Sequence, residues 1–304
     1  MKRMILILIS VFLLSPVFGQ KDVFKGFWWV EIKHGEPHLY FNTEKDRGGW
    51  NYGNSFDLDM FDGYMTGNNV TFYLRSEAGV IEFTGDITEQ SGNGTYEWTP
   101  NKSYISEMGK FGYDDFSDKE YLIFALKNFR IKTLEEIISL GYDNIPSDKL
   151  VAIVALGIRP EYIRDIHKAG YDKIKIQQVI SFKALGITPG YIENLRKAGI
   201  GEIDADDLTA LKSQGVDIDF INECREMGFK DLDSGDLIKL KVFDLDKSCI
   251  DMIRQAGYKD ARLEQILQFR IMDIDEEFIK KATQFNDGVL PDPDSLIQLK
   301  AAKK

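Results

Sequence analysis

The stretch VALGIRPEYIRDIHKAGYDKI, residues 154–174, returns as KALGITPGYIENLRKAGIGEI at residues 183–203, with 11 of the 21 positions identical. A period of 29 residues holds about two short helices, too few to bury their own apolar stripe, so the copies must stack. The duplication extends to Gly112, Gly141, Gly170, Gly199, Gly228 and Gly257, each 29 residues from the next, with a seventh, degenerate copy in register at Asn286.

Other columns keep the same period. Seven residues before the glycine stand Ile105, Leu134, Ile163, Ile192, Ile221, Ile250 and Ile279; four before it, Met108, Ile137, Ile166, Leu195, Cys224, Ile253 and Ala282. Nine after it come Tyr121, Leu150, Val179, Leu208, Leu237 and Ile266, and twelve after it Phe124, Ile153, Phe182, Leu211, Leu240 and Phe269. Each pair of columns is three apart, the spacing of one helix face, so each unit reads as two amphipathic helices. Pro160 and Pro189 suit first helical turns, and the glycine suits a left-handed C-terminal cap with the following aromatic folded back. Ser147-Asp148, Asp206-Asp207 and Ser234 offer caps or acids ahead of the second helices. The expectation is an α-solenoid of about six hairpins over residues 101–290, followed by a polar C-terminal tail over 291–304.

Residues 20–100 use a different pattern. GFWWVEI, PHLYFNT, NSFDLDMF, VTFYLRS, GVIEFTGDI and GTYEWT are aromatic and β-branched runs, separated by HGEP, RGGWNYGN, DGYMTGNN and QSGNG. They predict an antiparallel meander, sandwich or small barrel, and the chain is an α+β two-domain protein. Ahead of it, Lys2 and Arg3 precede the apolar run Met4–Leu14 and then Val17-Phe18-Gly19, the layout of a signal peptide over residues 1–19. The protein is therefore expected to be exported, periplasmic or secreted, without membrane insertion after cleavage. Loss of Lys2 and Arg3 takes the formal charge from −11 to −13, which disfavours nucleic acid and anionic lipid.

No catalytic, metal or cofactor motif stands out: GxSxG, HExxH, the P-loop and the dinucleotide fingerprint are all missing from the sequence. His34 and His38 (HGEPH) flank Pro37, which breaks the helix a zinc motif needs, so they read as a polar turn. Asp57, Asp59 and Asp62 have the wrong spacing for a calcium loop, and Asp57 and Asp59 read as the solvent face of a strand. Cys224 and Cys249 occupy core columns of neighbouring units, where they pair or stay as free thiols. His167, Arg196, Arg225 and Arg254 share the column three before the glycine, a basic stripe or simply cations favoured by a helix C-terminus. The acidic run after Gly201 excludes a nucleic-acid-gripping helical hairpin.

Two surfaces remain as candidates. Trp28 and Trp29 are consecutive and must point to opposite faces of a strand. The column six before the glycine changes character from copy to copy: Arg164, Glu193, Asn222, Asp251. VTFYLRSEAGVIEFTGDI (70–87), SYISEMGKFGY (103–113) and the LGITPGYI units together resemble the extracytoplasmic segments attached to BlaR-type membrane metallopeptidases, over nearly all of residues 27–285. The peptidase motif of that family is not in this sequence, so the resemblance implies an envelope accessory module and transfers no catalytic residue. The expected function is a non-enzymatic binding or scaffold protein offering a solenoid surface to a protein partner, such as a membrane sensor or peptidase. The alternative is a ligand or glycan sensor that binds through the aromatic-rich β domain.

Overall fold

A computed structural model describes residues 24–33, 36–43 and 51–302. The signal-peptide segment, His34 and Trp50 lie outside the described residues. Seven strands come first: β1 (Phe24–Lys33), β2 (Glu36–Thr43), β3 (Asn51–Ser55), β4 (Phe61–Asp62), β5 (Gly67–Ser76), β6 (Gly79–Ile87) and β7 (Ser91–Pro100). They form one antiparallel sheet in the order β3-β2-β1-β7-β6-β5-β4. The seam between β1 and β7 is in register from Phe24 opposite Trp98 to Glu31 opposite Ser91.

The strict in–out alternation along β1 follows from the period of two: Phe24, Trp28 and Val30 are buried, whereas Phe27, Trp29 and Glu31 are exposed. The buried face is nearly all aromatic. Trp28 sits edge-on to Phe72 and Phe83, with centroids 5.3 and 6.2 Å away. Phe41 on β2 and Phe61 on β4 both meet Phe56, at 6.2 and 5.8 Å. Strands near opposite ends of the sheet order thus share one ring, so the sheet is rolled around its core. Edge-to-face rings add about 0.5–1.5 kcal/mol per pair beyond simple burial.

Three local expectations change. NSFDLDMF is not one strand: it is divided into the end of β3, a single 3-10 turn (Leu58–Met60) and the start of β4. Asp59 therefore lies in that turn and Asp57 just ahead of it, not on a strand's solvent face. Pro37 belongs to β2, opposite Ile32, rather than to the turn.

Fourteen helices follow among the described residues. The first eight are α1 (Lys102–Lys110), α2 (Asp118–Leu126), α3 (Ile131–Ser139), α4 (Ser147–Ala155), α5 (Pro160–Lys168), α6 (Ile176–Ala184), α7 (Pro189–Lys197) and α8 (Ala205–Ser213). The others are α9 (Ile218–Glu226), α10 (Ser234–Val242), α11 (Lys247–Gln255), α12 (Leu263–Ile271), α13 (Glu276–Phe285) and α14 (Pro293–Ala302). The segment expected to be a polar tail is thus largely helical, and Leu296 within it is fully buried. The compact units divide between Leu134 and Glu135 rather than at residue 100. In the first unit, α2 packs on β5, β6 and β7.

Helices of nine residues are marginal alone, so their ends and their packing must hold them. From Leu134 onward every residue in the four apolar columns is buried, and Ile105 alone is only half-buried. The six glycines of the first column all have positive φ, between 74° and 110°. Behind Gly112, Gly170, Gly199, Gly228 and Gly257 the chain closes a six-residue cap, as in Tyr171 N–H to Ile166 O (3.2 Å) and Phe229 N–H to Cys224 O (3.1 Å).

A second left-handed column, sixteen residues after the first, ends the second helices: Asn128, Gly157, Gly186, Gly215, Asp244 and Asp273, with φ between 46° and 70°. The N-terminal caps also sit earlier than expected. Asp204 and Asp233 accept the orphan amides of α8 and α10, while Asp206, Asp207 and Ser234 lie inside the first turns.

Candidate functional site

The side chains that recur from copy to copy are occupied in holding helices together. Tyr162 and Tyr191 donate their hydroxyls to Ile187 O and Val216 O, each at 2.8 Å and each 25 residues onward. Tyr142, Tyr171 and Tyr258 do the same to Ile174 O (3.1 Å), Ile203 O (2.8 Å) and Pro291 O (2.9 Å), at 32, 32 and 33 residues onward. These carbonyls lie in loops, where a backbone acceptor taken from water needs a partner. On the other side of the aromatic column, Lys183, Lys212 and Lys241 hold their ammonium groups 4.3–4.9 Å from the rings of Tyr162, Tyr191 and Phe220.

The basic stripe stands in the last turns of its own helices, as expected, and also reaches further. Arg196 donates to Ala169 O at 2.6 Å, and Arg225 donates to Ala198 O. Both acceptors are C-terminal caps of the preceding unit's first helix, α5 and α7. The cations thus neutralise the negative end of the helix before as well as standing in the last turn of their own. The glycine column makes room for them: a Cβ at Gly170 would lie 3.0 Å from Arg196 Nη2, and one at Gly228 would lie 2.9 Å from Arg254 Nη2. His167, in the same column, has its Nε2 3.0 Å from the Tyr142 hydroxyl. Arg225→Met, which keeps the stem and removes the donor, is expected to lower stability by about 0.5–1.5 kcal/mol. Urea denaturation followed by far-ultraviolet circular dichroism measures it, and an unchanged midpoint would remove this bond from the account.

The buried phenols give a pH dependence. Burial raises the hydroxyls of Tyr191 and Tyr258 from 10.0 to about 12, and those of Tyr162 and Tyr171 also rise, again chiefly by desolvation. Above pH 10 the unfolded chain releases these protons first, so the folded state holds more protons and stability falls as pH rises. The urea midpoint is expected to drop steadily between pH 9.5 and 11.5, because these hydroxyls are the donors in the bonds above. Tyr162→Phe combined with Tyr191→Phe should flatten that slope.

The cysteines are free, Cys224 buried and Cys249 half-buried. Burial pushes the Cys224 thiol up to about 11 and raises that of Cys249 as well. They behave as small apolar side chains. Among the described residues, no three His, Cys, Asp or Glu side chains converge on a place for a metal ion.

The candidate surface residues fall into two groups. Trp28 is 1% exposed and its indole N–H donates to Thr95 O at 3.0 Å, so it belongs to the core and is removed from the candidate surface. Trp29 is 37% exposed and stacks on Tyr40 across β1 and β2, with centroids 5.0 Å apart and planes within 11°. Phe27 stands on the same outer face, more than half exposed.

In the second unit Arg164 is half-buried and donates to Glu136 Oε2 (2.5 Å) and Glu161 Oε1 (3.2 Å). Glu193 pairs with Lys197 at 2.7 Å on the solvent side, Asn222 is exposed and Asp251 half-buried. Ion pairs this exposed contribute about 0–1 kcal/mol, so the column is spared from structural duty more than the Tyr, Lys and Arg columns are. Among the described residues no helix is long and apolar enough to cross a membrane. No protein-family model matches the chain, and no curated protein matches it either.

Proposed function

We propose that this is an exported, non-enzymatic binding protein of the bacterial envelope, whose helices form an α-solenoid of 29-residue repeats that presents a surface to a protein partner. What supports the reading is a division of labour among the columns. The shared Tyr, Lys and Arg positions are committed to contacts between helices, and the Gly positions to helix caps. The column Arg164, Glu193, Asn222 and Asp251 changes sign from copy to copy and reaches solvent. An acidic chain of this kind attracts a basic or mixed-charge partner, and charge at such a rim sets association rate and specificity. A membrane sensor or peptidase is the partner class that the resemblance implies.

Crosslinking in intact envelopes tests this, with the wild-type chain beside the double variant Glu193→Lys, Asp251→Lys. The expected result is a specific crosslinked protein that the double variant loses at unchanged melting temperature. Equal crosslinking by both would remove the column as a recognition surface.

The exposed Trp29–Tyr40 stack favours a second reading, a sugar or other small ligand held on the outer face of the sheet. Aromatic faces beside the polar Asn42 and Asn93 suit a ligand with apolar faces and hydroxyl edges. A glycan screen with Trp29→Ala as control decides it, and no ligand in the screen would count against it.

A further inference from the structure

We infer that the groove between α9 and the α10–α11 turn takes a basic side chain, lysine or arginine, from a protein partner. The inference deepens the binding-protein reading above and rests on it. The groove has a volume of ≈ 270 Å³ and opens to solvent. Small-molecule sites begin at roughly 300 Å³, so this one has room for a side chain rather than a whole ligand. Met227, Leu240 and Leu245 give it an apolar floor, and Glu223, Glu226, Asp244 and Asp246 stand around it.

Three of these acids are particular to this copy. At the places of Glu223 and Glu226, α5 carries Asp165 and Lys168, which pair at 3.2 Å. There α7 carries Asn194 and Lys197, and Lys197 pairs with Glu193. At the place of Asp244 the earlier copies carry Gly157, Gly186 and Gly215. α9 thus exchanges its predecessors' cation for a second carboxylate, three residues from the first. Like charges at such a spacing cost a helix about 0.2–0.5 kcal/mol.

Nothing within the chain offsets that cost. Among the described residues, no cation lies within ion-pair distance of Glu223, Glu226 or Asp244. Asp246 is already committed, accepting the Cys249 N–H at 2.8 Å. Of the two cations in the lining, Lys241 rests its ammonium 4.3 Å from the Phe220 ring, and Lys247 is exposed.

Charge and shape together choose the occupant. Three free carboxylates exclude a phosphate or an acidic segment. They are spread around the rim, and among the described residues no acids converge on a place for a metal ion. A lysine or arginine side chain satisfies both parts of the groove. Its aliphatic stem covers the apolar floor, and its head forms charge-assisted hydrogen bonds with the carboxylates.

Fluorescence anisotropy of a labelled, capped arginine tetrapeptide with the full chain tests the proposal, at about 0.15 M salt so that long-range attraction is screened. The expected result is saturable binding that weakens at least about tenfold in the double variant Glu226→Lys, Asp244→Gly. Both replacements restore residues that other copies carry at those places. Glu89→Lys with Asp59→Gly removes the same charge from exposed places in the first unit, and should leave the affinity within about twofold. An arginine peptide that does not bind the wild-type chain overturns the proposal. So does an equal loss in the two double variants, which would leave net charge as the only attraction.

Circular dichroism checks the helix content of each variant. If the first loses helix, Glu223→Gln with Glu226→Gln takes its place, against Glu82→Gln with Glu89→Gln, and the comparison is read the same way. A crosslink in envelopes without peptide binding removes the groove and leaves the broader reading standing. Peptide binding without any crosslink keeps the groove and removes the column of Glu193 and Asp251 as the recognition surface.

Discussion

Trp28→Ala is expected to destabilise the first unit by about 3–5 kcal/mol, while Trp29→Ala, one residue along, costs about 1 kcal/mol. Both are tryptophans on β1, so composition and strand propensity cannot separate them. The difference comes from the face of the strand. Trp28 is 1% exposed, sits edge-on to Phe72 and Phe83, and donates its indole N–H to Thr95 O. Removing it opens a cavity among rings that cannot collapse without losing their edge-to-face geometry, and leaves Thr95 O without that donor. Trp29 loses only its stack on Tyr40 and some partly covered surface. Calorimetric melting of both variants measures the contrast. Equal losses would mean that the in–out alternation of β1 has been placed on the wrong faces.

Phe182→Ala should cost a similar amount, about 3–5 kcal/mol, but its reach should be different. Phe182 is fully buried on α6 and meets Tyr171 edge-on at 5.5 Å. Tyr171 in turn is tied to Ile203 O beyond it. In a stacked array each hairpin supports only its neighbours, so the loss should spread from α5 to α8 and fade. Hydrogen exchange should show faster amides over those helices and little change in β5, β6 and β7. Equal loss of protection in the strands would indicate one cooperative block, and the array account would have to be abandoned.

Much of the helical unit was legible because its rule is local. A nine-residue helix needs an apolar face at spacings of three and a residue that tolerates positive φ at its end, and both are printed every 29 residues. The column Ile163, Ile192, Ile221 and Ile250 is buried in the structure as its spacing requires. The second set of caps was harder to see. Gly157, Gly186 and Gly215 repeat plainly, but Asn128, Asp244 and Asp273 take the same left-handed place, and side chains that tolerate it by local hydrogen bonding do not look like glycine. The short turn at Leu58–Met60 was hidden by a run of apolar and acidic residues that alternates as a strand does.

The sequence by itself determined the period, the helix faces, the first set of caps and the alternation that sends Trp28 and Trp29 to opposite sides. It could not say which side is inside, because that depends on how the sheet rolls and brings Phe41 and Phe61 together on Phe56. Nor could it say whose carbonyl Arg196 and Arg225 would reach. A cation near a helix end is favoured by any helix C-terminus within range. Only the tertiary structure brings Ala169 O and Ala198 O, at the C-terminal ends of α5 and α7, within reach of Arg196 and Arg225.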